Sequence, residues 1–171
     1  FIVMEYLEGR TLREVISTDG PLDPGRTLTL GRQVASALEA CHERGILHLD
    51  LKPENLLLQG KQEDFVKVID FGVALAEDRL EKTHGRSLKG KFAYMSPEQI
   101  EGNVTLDGRT DMYAVGLMLH ELVAGVGPFH GLTELQIMHR IVMGQIPPLQ
   151  VPPEFPDRDL LLELHARALS R

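Results

Sequence analysis

The stretch His48-Leu49-Asp50-Leu51-Lys52-Pro53-Glu54-Asn55 constrains this chain more than any other. It packs an acid, an imidazole, an ammonium and an amide into eight residues, flanked by two short apolar runs, Ile46 to Asp50 and Leu56 to Leu58, that read as strands. Phe65-Val66-Lys67-Val68-Ile69 reads as another strand, ends on a second acid, Asp70, and is followed by Phe71-Gly72. A carboxylate and a carboxamide at two strand ends, Asp70 and Asn55, are hard oxygen ligands suited to Mg²⁺. A separate carboxylate, Asp50, can orient an incoming hydroxyl and accept its proton. Lys52 can neutralise charge on a transferring phosphoryl group. Singly, each of these is an ordinary turn or cap residue. Four at this spacing are hard to read as loop decoration.

The rest of the chain is mostly helical in pattern. Phe1 to Tyr6 reads as a strand with a β-branched centre. Thr11 is placed to cap a short helix through Leu12, Val15 and Ile16. Leu30, Val34, Ala37, Leu38 and Cys41 share one face of a helix over about Thr27 to Arg44, which Gly45 would end, and Cys41 reads as a core residue. Thr110 to Ala124 is apolar on more than one face and reads as a central, buried helix. Leu132 to Met143 is amphipathic, the prolines crowd between Pro147 and Pro156, and Asp159 to Leu169 begins a last helix. The long polar stretch between Gly72 and Ser96 is a loop of the length that usually carries function.

With 171 residues, 43% apolar and 25% charged, the chain suits one globular domain rather than disorder. Its net charge of −7, without a basic block, argues against nucleic acid as a partner. The one cysteine excludes an intrachain disulfide and a cysteine-rich zinc module, and fits a reducing compartment. No apolar run is long enough to span a membrane, and no signal peptide opens the chain. A start on Phe1 in mid-strand and an end on Arg171 without a helix stop read as a fragment cut at both ends.

Together, the octet, Asp70-Phe71-Gly72 and Ser96-Pro97-Glu98 resemble the signature set of the eukaryotic-type protein Ser/Thr kinase family, in order and separation. The resemblance covers essentially the whole chain and implies an α+β protein-kinase-like fold. It is mainly the helical C-terminal lobe, with short strands at the active site and the N-lobe absent. It implies a hinge at 4–8, a catalytic loop at 48–55, an activation segment at 70–98 and a central helix at about 110–124. The implied reaction moves the γ-phosphoryl of Mg-ATP to a Ser/Thr hydroxyl of a protein, in the cytoplasm, with ATP and Mg²⁺ as cofactors.

By the same resemblance, Asp50 is the base and Lys52 contacts the γ-phosphate, a lysine at that place resembling the Ser/Thr branch. Asn55 and Asp70 hold Mg²⁺. The carbonyl of Glu5 and the amide of Leu7 pair with adenine, Met4 is the gatekeeper, and Leu57 forms the apolar floor beneath the ring. Thr11 or Glu8 lies near the ribose. His48 supports the loop, Phe71 and Gly72 complete the metal-binding triplet begun by Asp70, and Thr83 and Ser87 are candidate phosphosites. Asp111, five residues before Gly116, accepts hydrogen bonds from the catalytic-loop amides.

Several positions depart from the family. Leu49 stands where most members carry an Arg that reads a phosphate on the activation segment, so activation through that contact is not expected. Lys91 replaces a usual Thr and is placed to pair with Asp50 or to point to solvent. The Arg that pairs with Glu98 in the family would follow Arg171, which leaves Glu98 expected to be unpaired. There is no Gly-rich loop, no strand Lys and no partner Glu, all of which belong to the N-lobe before Phe1, so the isolated chain is expected to be inactive. A non-catalytic scaffold is the competing reading, and retention of Asp50, Lys52, Asn55 and Asp70 argues against it. Gly85 to Lys91 spells most of a phosphate-binding loop, but Phe92 follows where a Ser or Thr is required.

Overall fold

The computed structural model describes residues 5–60, 65–71, 91–102 and 105–170. The expected strand at Phe1 to Tyr6 lies outside them over its first four residues, and Glu5 and Tyr6 have no strand geometry. The first strand among the described residues is the two-residue β1 (Arg10–Thr11), which pairs antiparallel with β2 (Leu56–Gln59) through Arg10↔Leu58 and Thr11↔Leu57. β2 pairs antiparallel with β3 (Phe65–Val68), and the three make one sheet in the order β1-β2-β3.

Helix starts follow local capping chemistry. α1 (Leu12–Asp19) begins with a reciprocal cap: the Glu14 amide donates to Thr11 Oγ1 at 3.2 Å, and the Thr11 amide donates to Glu14 Oε2 at 2.7 Å. α2 (Pro24–His42) starts three residues before the expected Thr27. Asp23 accepts from the amides of Gly25 and Arg26, and Pro24 needs no partner for its nitrogen. Past its end, Gly45 takes φ 71°. Cys41 is half-buried rather than a core residue.

Ile46 to Asp50 is not a strand. Leu49 takes φ 64°, which breaks an extended run, and the amides of His48 and Leu49 go to a side chain, Asp111, rather than to a neighbouring strand.

α3 (Pro97–Glu101) is a short helix that the sequence pattern did not announce. α4 (Gly108–Ala124) is capped by Asp107 and stopped by Gly125 at φ 74°. It is buried nearly all round, as its composition implies. One side packs with Leu30, Val34 and Leu38 of α2 and with Leu56 and Val66 of the sheet. The other side packs Tyr113 and Leu117 against Phe129 and against Ile137 and Ile141 of α5 (Glu134–Val142). α6 (Arg158–Ala168) closes on α4, and the proline-rich connection supplies Leu149 and Val151 to a third apolar cluster around Leu161. α4 is therefore the rigid post on which the loops before and after it are hung. Among the described residues, no helix is long and apolar enough to cross a membrane.

Candidate active site

The octet becomes a loop whose backbone is held from beneath. Asp111, in the first turn of α4, is 1% exposed and accepts from the amide of His48 at 2.9 Å and of Leu49 at 2.8 Å. His42 Nε2 meets the same carboxylate at 2.8 Å. A buried carboxylate is tolerable only with such donors around it. The His42 ring lies against Gly108, where a Cβ would stand 2.6 Å from Nδ1, so glycine there makes room for the contact.

His48 is fully buried and props the loop from within. Its Nδ1 accepts from the Asp50 amide at 3.3 Å and its Nε2 lies 3.1 Å from the Ile69 carbonyl. That pattern calls for the neutral tautomer with the proton on Nε2. The Phe71 ring packs against the imidazole at a tilt of 40°, with ring centroids 4.7 Å apart.

The polar side chains of the octet converge on this support. Lys52 Nζ lies 2.6 Å from Asp50 Oδ2. Asn55 Nδ2 donates to the Asp50 carbonyl at 2.8 Å and reaches Oδ2 at 3.3 Å. Asn55 ends the 3₁₀ turn Pro53–Asn55, and its carbonyl accepts from the Ile69 amide at 2.9 Å. That bond ties the end of β3, and so Asp70, to the Asn55 backbone. Asp70 is exposed at φ 55°. Leu49 and Asp70 are the non-glycine residues at positive φ among the described residues, and both flank the site. With its amide nitrogen engaged, Asn55 keeps its side-chain oxygen for a ligand, and the exposed Asp70 carboxylate is a second hard donor. This donor set fits Mg²⁺.

Of the residues expected to contact adenine, Leu57 is buried and Leu7 half-buried. Segment 5–8 is tied to the sheet by Gln59 Nε2 on the Glu8 carbonyl and by Lys67 Nζ on the Glu5 carboxylate at 3.1 Å. The Thr11 hydroxyl serves the α1 cap. Met4, Gly72, Thr83 and Ser87 lie outside the described residues, as does the Lys91 side chain.

The expectation for Glu98 concerns an Arg partner; here Thr110 Oγ1 donates a neutral hydrogen bond to its Oε1 at 2.8 Å. Sequence spacing could not reveal this, because the partner sits on another helix.

Two further features escaped sequence reading. Gln99 donates from Nε2 to the Leu49 carbonyl at 2.8 Å. Arg13 of α1 donates to Glu54 at 2.9 Å, to Glu121 at 2.5 Å and to the Tyr94 hydroxyl at 2.7 Å, while Tyr94 donates to Glu121. Burial opposes the Arg13 charge, but the bonds to Glu121 and Glu54 and the field of Tyr94 and Glu121 outweigh it and push its pKa up. Burial, then the Glu121 carboxylate, raises the Tyr94 phenol. This cluster lines a cavity of about 620 Å³ that runs from Asp50 and Lys52 to Phe129 and Ile137.

Residues 1–162 match the protein kinase domain. The chain belongs to the protein kinase family. A probable serine/threonine-protein kinase of Clostridium perfringens is 40% identical over 166 residues, covering 95% of this chain and 24% of the relative. The serine/threonine-protein kinase PknB of Mycolicibacterium smegmatis is 37% identical over 171 residues, 99% of this chain and 26% of the relative. PrkC of Bacillus subtilis, also a serine/threonine-protein kinase, is 39% identical over 147 residues, 86% of this chain and 22% of the relative. The kinase-domain chain thus spans about a quarter of the length of the curated relatives it matches. The predominantly helical fold with a small sheet agrees with the C-lobe expected from the sequence motifs.

Proposed function

We propose that this chain carries the phosphoryl-transfer half of a bacterial-type protein serine/threonine kinase, with ATP and Mg²⁺ as cofactors and a protein Ser or Thr hydroxyl as acceptor. The observation that carries this reading is the Asp50–Lys52–Asn55 cluster on a loop pinned by Asp111. Asp50 is the carboxylate that orients the acceptor hydroxyl and takes its proton as the oxygen attacks the γ-phosphorus. The bond from that phosphorus to the bridging oxygen breaks, and ADP leaves. Lys52, now paired with Asp50, is placed to face charge on the transferred group. Asn55 and Asp70 would hold Mg²⁺, which when bound neutralises phosphate charge. Glu5 and Leu7 would supply the adenine edge contacts, above Leu57. Glu98 and Asp111 act as supports, and Thr83 and Ser87 remain the candidate phosphosites. The hinge, catalytic-loop and activation-segment boundaries at 4–8, 48–55 and 70–98 belong to the same proposal.

The test is transfer of labelled γ-phosphate to a protein substrate by the whole kinase that contains this segment, with its N-lobe, and by its Asp50→Asn variant. A loss of at least about 100-fold with ATP binding retained is expected. Equal transfer by both proteins would exclude Asp50 as the base.

A further inference from the structure

We propose that Gln99 is a positioning residue for Asp50, clamping the peptide that joins Leu49 to Asp50 from the side of α3. The proposal rests on the phosphoryl-transfer reading above. The Leu49 carbonyl and the Asp50 amide belong to one rigid peptide plane. Gln99 Nε2 donates to the carbonyl at 2.8 Å, and the amide donates to His48 Nδ1 at 3.3 Å. The preceding plane is held as well, because the Leu49 amide donates to Asp111 Oδ1 at 2.8 Å.

Leu49 needs this grip. It sits at φ 64°, where a residue with a Cβ stays only if its surroundings hold it. Of the two side chains that hold its backbone, Asp111 comes from α4 and Gln99 from α3. Gln99 is itself locked: its Oε1 accepts from the Ser96 amide at 3.0 Å, and Ser96 is fully buried and caps α3 in return. One amide side chain thus faces both ways, with its oxygen on the helix cap and its nitrogen on the catalytic loop. Without the nitrogen contact the plane can turn and carry Asp50 off line, and misplacement of about 1 Å can cost on the order of 100-fold in rate.

The two jobs of Gln99 are separable. Gln99→Glu keeps an oxygen acceptor for the Ser96 amide, as glutamate does in capping boxes, but has no N–H for Leu49. In the whole kinase, with its N-lobe, Q99E should lower kcat by about 10- to 100-fold, with KM for ATP and protein substrate within about two-fold and the melting temperature within about 2 °C. Adding Leu49→Gly, which removes the penalty of positive φ, should recover at least part of kcat. An unchanged kcat, no recovery in the double variant, or a Q99E protein too unstable to purify would each overturn the clamp.

Amide exchange over residues 48–55 reads the clamp without activity. It should rise about ten-fold or more in Q99E while α2 is unaffected, and unchanged exchange overturns the proposal. If the unmodified whole kinase, with its N-lobe, transfers no phosphate, the functional reading fails and the clamp is judged on exchange alone.

Discussion

His42, at the end of α2, and Asp111, in the first turn of α4, meet at 2.8 Å across 69 residues of sequence. The same carboxylate takes the amides of His48 and Leu49, so one buried acid joins two helices to the loop that carries Asp50. Asp111→Ala leaves these donors without their acceptor. It should cost about 3–5 kcal/mol in a denaturant titration, against a smaller loss for His42→Ala, whose side chain is 21% exposed. A double-mutant cycle should return a coupling of about 0.5–3 kcal/mol. Additive losses would mean that the two side chains do not act together.

Arg13 compensates a nearly buried acid, since the Glu121 side chain is 6% exposed. Arg13→Met leaves Glu121 and the Tyr94 hydroxyl facing each other without the cation. We expect a loss of about 3 kcal/mol, of which Arg13→Met/Glu121→Gln recovers a part because the uncompensated charge has gone. A double variant no more stable than Arg13→Met would show that the cost lies in lost packing.

We expect the α4–α6 contact to weaken in acid. His120 and His165 face each other with ring centroids 5.5 Å apart, both nearly buried, and His120 Nδ1 and His165 Nε2 have no hydrogen-bond partner among the described residues. Burial lowers both pKa values. That of His165 falls to about 4, helped by His120, while the neighbouring Glu121 charge partly offsets the shift of His120. A base with a depressed folded pKa binds more protons unfolded. Stability is therefore full above about pH 6.5 and is lost as pH falls from there toward 4. The expected loss over that window is on the order of 1–3 kcal/mol, and His120→Phe/His165→Leu should flatten it. Unfolding midpoints between pH 7.5 and 4.5 decide the matter, and equal slopes for both proteins would remove the histidine pair as the cause.

What could be read from the sequence is what acts over three or four residues or through composition. The cap at Thr11, the apolar turns of α4 and the amphipathic α5 are of this kind, because their partners sit at fixed helical offsets. The Asp50, Lys52 and Asn55 cluster was also legible, since the octet holds all three within six residues. The tertiary structure alone decided that Ile46 to Asp50 is no strand, that Asp111 binds His42, that Thr110 answers Glu98, that Gln99 reaches Leu49, and that Arg13 joins Glu54 to Glu121. The physical reason is the same in each case. A hydrogen bond or ion pair gains its strength from distance and from exclusion of water, and for residues far apart in sequence both are set only by the path of the folded chain.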